Sequence, residues 1–209
     1  SNIADKIFER RENLRVILIA GPSSSGKTTF THRLAIQLRV LGFNPVIIGL
    51  DDYFLPKERT PIDEDGKPDF ENLNALNIEL LNSHLLSLFE GSEVEIPIFD
   101  FKRQRPMEQG RKLQFGDRSI LLMEGIHGLN PELTPDIPDR NKFKIYISAL
   151  TQLNLDDHNR ISTTDNRLIR RIVRDHQYRG NSAIRTLNMW DSVRRGENRN
   201  IFPFQDNAD

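Results

Sequence analysis

Arg15–Gly21 (RVILIAG) is an unbroken apolar run closed by glycine, as in a strand buried on both faces of a parallel sheet. From Lys27 to Leu41 the pattern changes period: Phe30, Leu34, Leu38 and Leu41 form one helical stripe, and Gly42 supplies a stop. The start of the chain therefore reads strand, glycine loop, helix. Pro45–Leu50 (PVIIGL) is a second buried strand, followed by Asp51, Asp52 and a Pro-, Asp- and Gly-rich stretch to Glu71 that predicts a long functional loop. Leu73, Leu76, Leu80, Leu81, Leu85, Leu88 and Phe89 predict a helix ending before Gly91, and Val94, Ile96 and Ile98 alternate as in an edge or hairpin strand. Ser119–Met123 and Phe143–Ala149 are two further strands, and Asn166–Tyr178 and Ser182–Arg195 two arginine-rich helices. Strands alternating with helices predict an α/β fold, a parallel sheet flanked by helices.

Composition narrows this picture. A chain of 209 residues suits one domain, 1–209. It has no cysteine, which excludes disulfides, thiol catalysis and thiolate zinc sites and fits a reducing, cytoplasmic setting. No apolar run approaches a membrane span, and the polar N-terminus has no signal-peptide core. The net charge of -1 argues against recruitment of nucleic acid or membrane. Its distribution is uneven: residues 51–71 hold eight acids and three bases, whereas residues 160–199 hold ten arginines and four acids. Ser1-Asn2 reads as a tag remnant. The stop at Asp209, just after IFPF, suggests a domain cut short at its C-terminal end or excised from a longer protein. A homo-oligomer is left open.

The glycine loop carries the chemistry. Gly21-Pro-Ser-Ser-Ser-Gly26-Lys27-Thr28 matches G-x-x-x-x-G-K-[ST], a P-loop. Its glycines permit a compact turn whose N–H groups wrap a phosphate, helped by the dipole of the next helix. Gly21, Ser23, Ser24, Ser25, Gly26, Lys27, Thr28 and Thr29 are thus expected to hold ATP or another NTP, with Lys27 on the β/γ-phosphates and the Thr28 hydroxyl on Mg²⁺. The helix Gly26–Leu41 runs about 24 Å at 1.5 Å per residue. The strand Phe43–Leu50 returns about 26 Å at 3.3 Å per residue. Asp51 and Asp52 therefore arrive beside the phosphate loop, one entering the cleft and the other facing away if the chain is extended there. Glu124 also ends a buried strand, where a carboxylate can hold Mg²⁺ or its water. Arg167, Arg170, Arg171 and Arg174 fall broadly on one side of their helix, opposite Leu168, Ile172 and Val173, with Arg179 at its end. They read as a lid over a triphosphate, the alternatives being a solvated basic face or an RNA-binding face. The histidines show no metal-ligand spacing, and His127 alone lies near a candidate site residue. A GTPase is disfavoured, because Asn141-Lys142-Phe143-Lys144 lacks the acid of N-K-x-D and the D-x-x-G of Asp63–Gly66 lies in a polar loop.

From Val16 to about Gly180 the ordered motifs GPSSSGKT, LDDYF, DFENLNALNIELL, IPIFDF, LLMEGI and NRLIRRIVRD-RG resemble the uridine kinase and phosphoribulokinase family, above all its uridine kinase branch. The resemblance implies a P-loop kinase with a small substrate-side hairpin and an Arg-rich lid helix. It further implies transfer of the γ-phosphoryl of ATP to a hydroxyl of a small metabolite, with uridine or cytidine 5′-OH the first candidate. It selects Asp51 as general base, puts Tyr53, Glu71, Phe99 and Gln104 with Asp51 around the acceptor, turns Arg167 toward it, and assigns Arg170 and Arg174 to the phosphates. The chain departs from uridine kinases at Phe70-Glu71-Asn72-Leu73, where they read F-D-H-P, and at Gln104, where they carry His. Pantothenate-, glycerate- and ribulose-phosphate-type acceptors, and a nucleotide-binding module without turnover, are the alternatives. The connection 148–166 is longer than the family's, and the family's last strand would begin at Ala208-Asp209.

Overall fold

The computed structural model describes residues 2–149 and 156–209; the long connection singled out above lies partly outside them. The elements with strand or α-helical geometry are α1 (Asn2–Glu9), β1 (Val16–Ala20), α2 (Lys27–Val40), β2 (Asn44–Gly49), α3 (Ile78–Phe89), β3 (Val94–Ile96), β4 (Phe99–Asp100), β5 (Arg105–Pro106), β6 (Arg111–Leu113), β7 (Ser119–Glu124), β8 (Lys142–Tyr146), α4 (Thr163–Arg179) and α5 (Ala183–Asn200). Four strands form a parallel sheet in the order β2-β7-β1-β8. Ile19 and Gly49 both pair with Glu124, so β1, β2 and β7 end level. Their C-terminal loops therefore open at one sheet edge, beside the switch in strand order where α/β folds bind ligands.

The continuous apolar runs follow from burial on both sides. Val16 and Leu18 of β1 face one core with Ile48, Leu121, Met123 and α3, while Ile17 and Ile19 face the other with α2, Leu122 and Phe143. β3 pairs with β6 and β4 with β5, both antiparallel, which makes the expected hairpin.

Several boundaries differ from the sequence reading. α1 was not expected in the polar N-terminus, yet Ala4 and Ile7 are buried against α2. α3 starts only at Ile78, because the Asn77 side chain accepts from the Leu80 N–H and caps it there. Leu73 sits in a 3₁₀ turn before it. At the other end, the Asp209 N–H donates to the Lys144 carbonyl at 2.9 Å, placing Ala208-Asp209 beside β8. Among the described residues no helix is long and apolar enough to cross a membrane.

Candidate active site

The loop between β1 and α2 closes tightly on its surroundings. A Cβ on Gly21 would stand 2.4 Å from the Ile147 carbonyl oxygen, so only glycine fits where the loop leaves the sheet. Ser23, Ser24, Gly26, Lys27, Thr28 and Thr29 line a cleft of about 970 Å³, whose lining does not include Gly21 and Ser25. Lys27 Nζ donates to the carbonyls of Gly21 (2.8 Å) and Pro22 (3.1 Å). Burial pulls its ammonium down to about 8, against Glu124 and Asp51, which favour the charge. Among the described residues the buried hydroxyls of Ser24 and Ser25 have no hydrogen-bond partner. Such a loop, with an orphaned pair of donors and a desolvated cation, fits a bound polyphosphate.

Across the cleft the Thr28 hydroxyl donates to Glu124 Oε1 at 2.6 Å. A hydroxyl and a carboxylate this close at the mouth of a phosphate loop are hard oxygen donors of the kind Mg²⁺ prefers. Glu124 is the last residue of β7, and the register that levels β1 with β7 brings the two together.

Asp51 and Asp52 lie on a 3₁₀ turn, Leu50–Tyr53, rather than on extended chain. Asp51 lines the cleft, with its Oδ2 3.4 Å from Arg179 Nη2. Asp52 points away, accepts from the Phe99 N–H at 3.3 Å, and has its carboxyl pushed up by burial. The same turn takes Tyr53 out of the cleft lining, correcting the expectation that it stands beside the acceptor. In 3₁₀ geometry residues i and i+3 eclipse, so Tyr53 follows Leu50 into the core, where its hydroxyl meets His84 Nδ1 at 3.1 Å.

One wall of the cleft is aromatic. Phe54, Phe70, Phe99 and Phe101 line the cleft and touch edge to face, with centroid separations from 5.2 to 6.1 Å. Arg179 lies 4.2 Å over Phe101. Gln104, at φ 54 in the β4–β5 turn, and Glu71 complete this wall. Burial pushes the Glu71 carboxyl up, while Arg171, 3.6 Å away, opposes the shift.

α4 presents its arginines differently from the expectation. Its deeply buried residues are Arg167, Arg171 and Asp175, whereas Ile169 and Val173 are exposed. Arg167 does not face the acceptor, a second correction. It is 3% exposed, donates through Nε to the Ser23 carbonyl, and pairs with Glu197 of α5. A buried guanidinium takes the carboxylate that neutralises it, and Glu197 lies beneath the loop rather than in the cleft. Arg170 and Arg174 do line the cleft, and Arg170 Nη2 lies 3.6 Å from the point a Cβ on Gly26 would occupy. Arg174, Arg171 and Arg179 converge on Asp175 at 2.9, 3.3 and 3.7 Å. The sequence reading placed Arg171 in the lid without a contact of its own, and gave no site role to Arg179 beyond its place at the helix end or to the three further phenylalanines. The basic run marked the arginines, but only the fold brings the aromatics from three segments together.

A parallel sheet whose first strand feeds a phosphate loop, with Glu124 ending β7 beside it and Asp51 following β2 one strand further on at the same edge, defines a P-loop phosphotransferase. The chain belongs to the phosphoribulokinase / uridine kinase family, which it matches over residues 16–209. It is thus a transferase of phosphoryl groups to an alcohol. It is 30% identical to the uridine kinase of Ligilactobacillus salivarius over 184 residues, 88% of this chain and 77% of that protein. It is 29% identical to that of Macrococcus caseolyticus over 180 residues, 86% and 78% of the two chains. The fold resembles that of D-glycerate 3-kinase from Cryptococcus neoformans var. grubii, with a TM-score of 0.61 and 15% identity over 100% of this chain and 89% of that one.

Proposed function

We propose that the chain uses ATP with Mg²⁺ to phosphorylate a hydroxyl of a small metabolite, with the 5′-OH of uridine or cytidine as the leading acceptor. The observation that carries this reading is the meeting in one cleft of Lys27, the Thr28–Glu124 pair and Asp51, opposite a wall of four phenylalanines. Aromatic faces suit a planar base, while Glu71 and Gln104 offer polar partners at its edge. The small-metabolite kinase reading also fits the names of the relatives.

In the reaction, the acceptor hydroxyl oxygen forms a bond to the γ-phosphorus, the bond from that phosphorus to the β–γ bridging oxygen breaks, and ADP leaves. Asp51 takes the proton of the attacking hydroxyl. Lys27 turns from its own loop carbonyls to the phosphates, and Arg170 and Arg174 supply positive charge where negative charge develops. Thr28 and Glu124 are the residues that would hold Mg²⁺, which screens the β- and γ-phosphates when bound.

An ADP-release screen tests this with uridine, cytidine, other nucleosides, pantothenate, glycerate and ribulose 5-phosphate. Uridine and cytidine are expected to give the highest kcat/KM, and Lys27→Ala to abolish turnover. Turnover on glycerate or pantothenate alone overturns the nucleoside assignment, and undiminished transfer by Lys27→Ala overturns the kinase assignment.

A further inference from the structure

One turn of α5 touches both halves of the cleft from behind without lining it. Glu197, fully buried, accepts from the Ser23 N–H at 3.2 Å and pairs with Arg167. Ser23 is held at its other polar groups too: its carbonyl by Arg167 Nε at 2.8 Å and its hydroxyl by Arg171 Nη1 at 3.0 Å. The residue before Glu197 is Gly196, where a Cβ would stand 2.3 Å from the Cβ of Glu71, so the helix meets the acceptor wall at glycine distance. One turn on, Asn200 Nδ2 donates to the Glu71 carbonyl at 2.7 Å. Residues 196, 197 and 200 thus grip Ser23 of the phosphate loop and Glu71 of the acceptor wall together.

We propose that this turn, Gly196–Asn200, is a positioning element that sets the phosphate loop and the acceptor wall in one fixed relation, with Glu197 as its central positioning residue. The reading rests on the phosphate loop binding nucleotide, as proposed above. Three features support it. A buried ion pair adds little stability over well-packed apolar residues, so Arg167–Glu197 is poorly explained as a stabiliser alone. Glu197 Oε2 is buried without a partner among the described residues, a cost that a purely structural contact would have no reason to retain. Finally, Gly196 sits inside a helix, where glycine is unfavourable, at a place where a side chain would displace Glu71. In-line transfer depends on the distance between the acceptor oxygen and the γ-phosphorus, and a brace that spans both binding halves holds that distance.

The test measures binding of the non-hydrolysable analogue AMP-PNP with Mg²⁺ by calorimetry, well below each variant's unfolding temperature. Asn200→Ala removes a bond to Glu71 only and leaves the phosphate loop's own contacts intact. It is expected to raise the AMP-PNP Kd about fivefold through the shared turn. Glu197→Gln, which removes the charge paired with Arg167 and so loosens the guanidinium that holds the Ser23 carbonyl, is expected to raise it by about tenfold or more. Leu133→Ala, a core truncation elsewhere, lowers the unfolding temperature and is expected to leave Kd unchanged. Wild-type affinity in Asn200→Ala overturns the proposal, as does an equal Kd change in Leu133→Ala, which would mark a general loss of stability. Gly196→Ala adds a second acceptor-side variant if it folds; Asn200→Ala decides if it does not. Failure of the wild-type chain to bind AMP-PNP overturns the nucleotide reading itself, a result distinct from wild-type affinity in the variants.

Discussion

Two adjacent aspartates with opposite surroundings show how much a single position carries. Asp51 is open to the cleft beside Arg179, while Asp52 is turned under the hairpin onto the Phe99 N–H. Asp51→Asn is therefore expected to lower kcat by about 10² to 10⁴ with ATP affinity little changed, because only proton removal is lost. Asp52→Asn keeps an oxygen for the Phe99 N–H and is expected to leave kcat within about threefold. Steady-state kinetics on the two variants checks the ranking, and the reverse order would make Asp52 the base. The sequence showed that one of the pair enters the cleft, but by an argument from strand alternation that does not hold here. The 3₁₀ turn separates the two by a different rotation, and its i, i+3 eclipse is also what takes Tyr53 into the core. Turn type depends on packing that no local pattern of Leu-Asp-Asp-Tyr reveals.

Among the elements, the sheet was the most legible. Parallel strands buried on both faces leave continuous apolar runs, and the near-equal lengths of α2 and β2 already brought Asp51 back to the phosphate loop. The helix α4 was half legible. Its spacing put four arginines on one side, but whether that side turns inward is decided by Ser23, Glu71, Asp175 and Glu197, three of which lie far off in the chain. Charged partners reversed the usual rule, burying Arg167 and Arg171 and leaving Ile169 and Val173 in solvent. In the proposed reaction the cleft-lining members Arg170 and Arg174 would act on charge that grows as the β–γ bond breaks. Arg170→Ala or Arg174→Ala is thus expected to lower kcat, by up to about 10³-fold, more than it weakens ATP binding. Parallel measurements of turnover and of RNA affinity on both variants separate this from an RNA-binding face. Loss of RNA binding with turnover intact would reject the lid. Asp175, which gathers three guanidiniums at 1% exposure, is structural in the same network. Asp175→Ala is expected to destabilise the fold by about 3 kcal/mol, measured by urea unfolding, since it leaves Arg171 buried without its nearest carboxylate.

At the scale of the whole molecule, the cleft is built on a buried histidine that links global stability to pH. His127 follows β7 by three residues and is 1% exposed. Burial pulls its imidazole down to about 4, against weaker pulls upward from Asp51 and the Asn72 backbone. The folded chain therefore binds fewer protons than the unfolded one between the unperturbed value of about 6.5 and about 4. Stability rises with pH wherever the unfolded state holds more protons, so this contribution is complete above about pH 6.5 and is lost as pH falls toward 4. At pH 5 the expected loss is about 2 kcal/mol relative to pH 8, from a separation of about 2.5 units at 1.36 kcal/mol per unit, of which 1.5 has then been crossed. The buried carboxyls of Asp52, Asp69 and Glu71 work the other way, because their raised values make the folded state the better proton binder as pH drops. The wild-type curve alone therefore mixes both signs, and the histidine is isolated by comparison with His127→Gln, which cannot take up the proton. Urea unfolding of both chains from pH 8 to pH 5 is expected to show the stability difference between them shifting by about 2 kcal/mol in favour of the variant. Parallel curves, with the difference constant across that range, would mean that His127 is accommodated as readily charged as neutral, and that acid loss of stability arises from other groups.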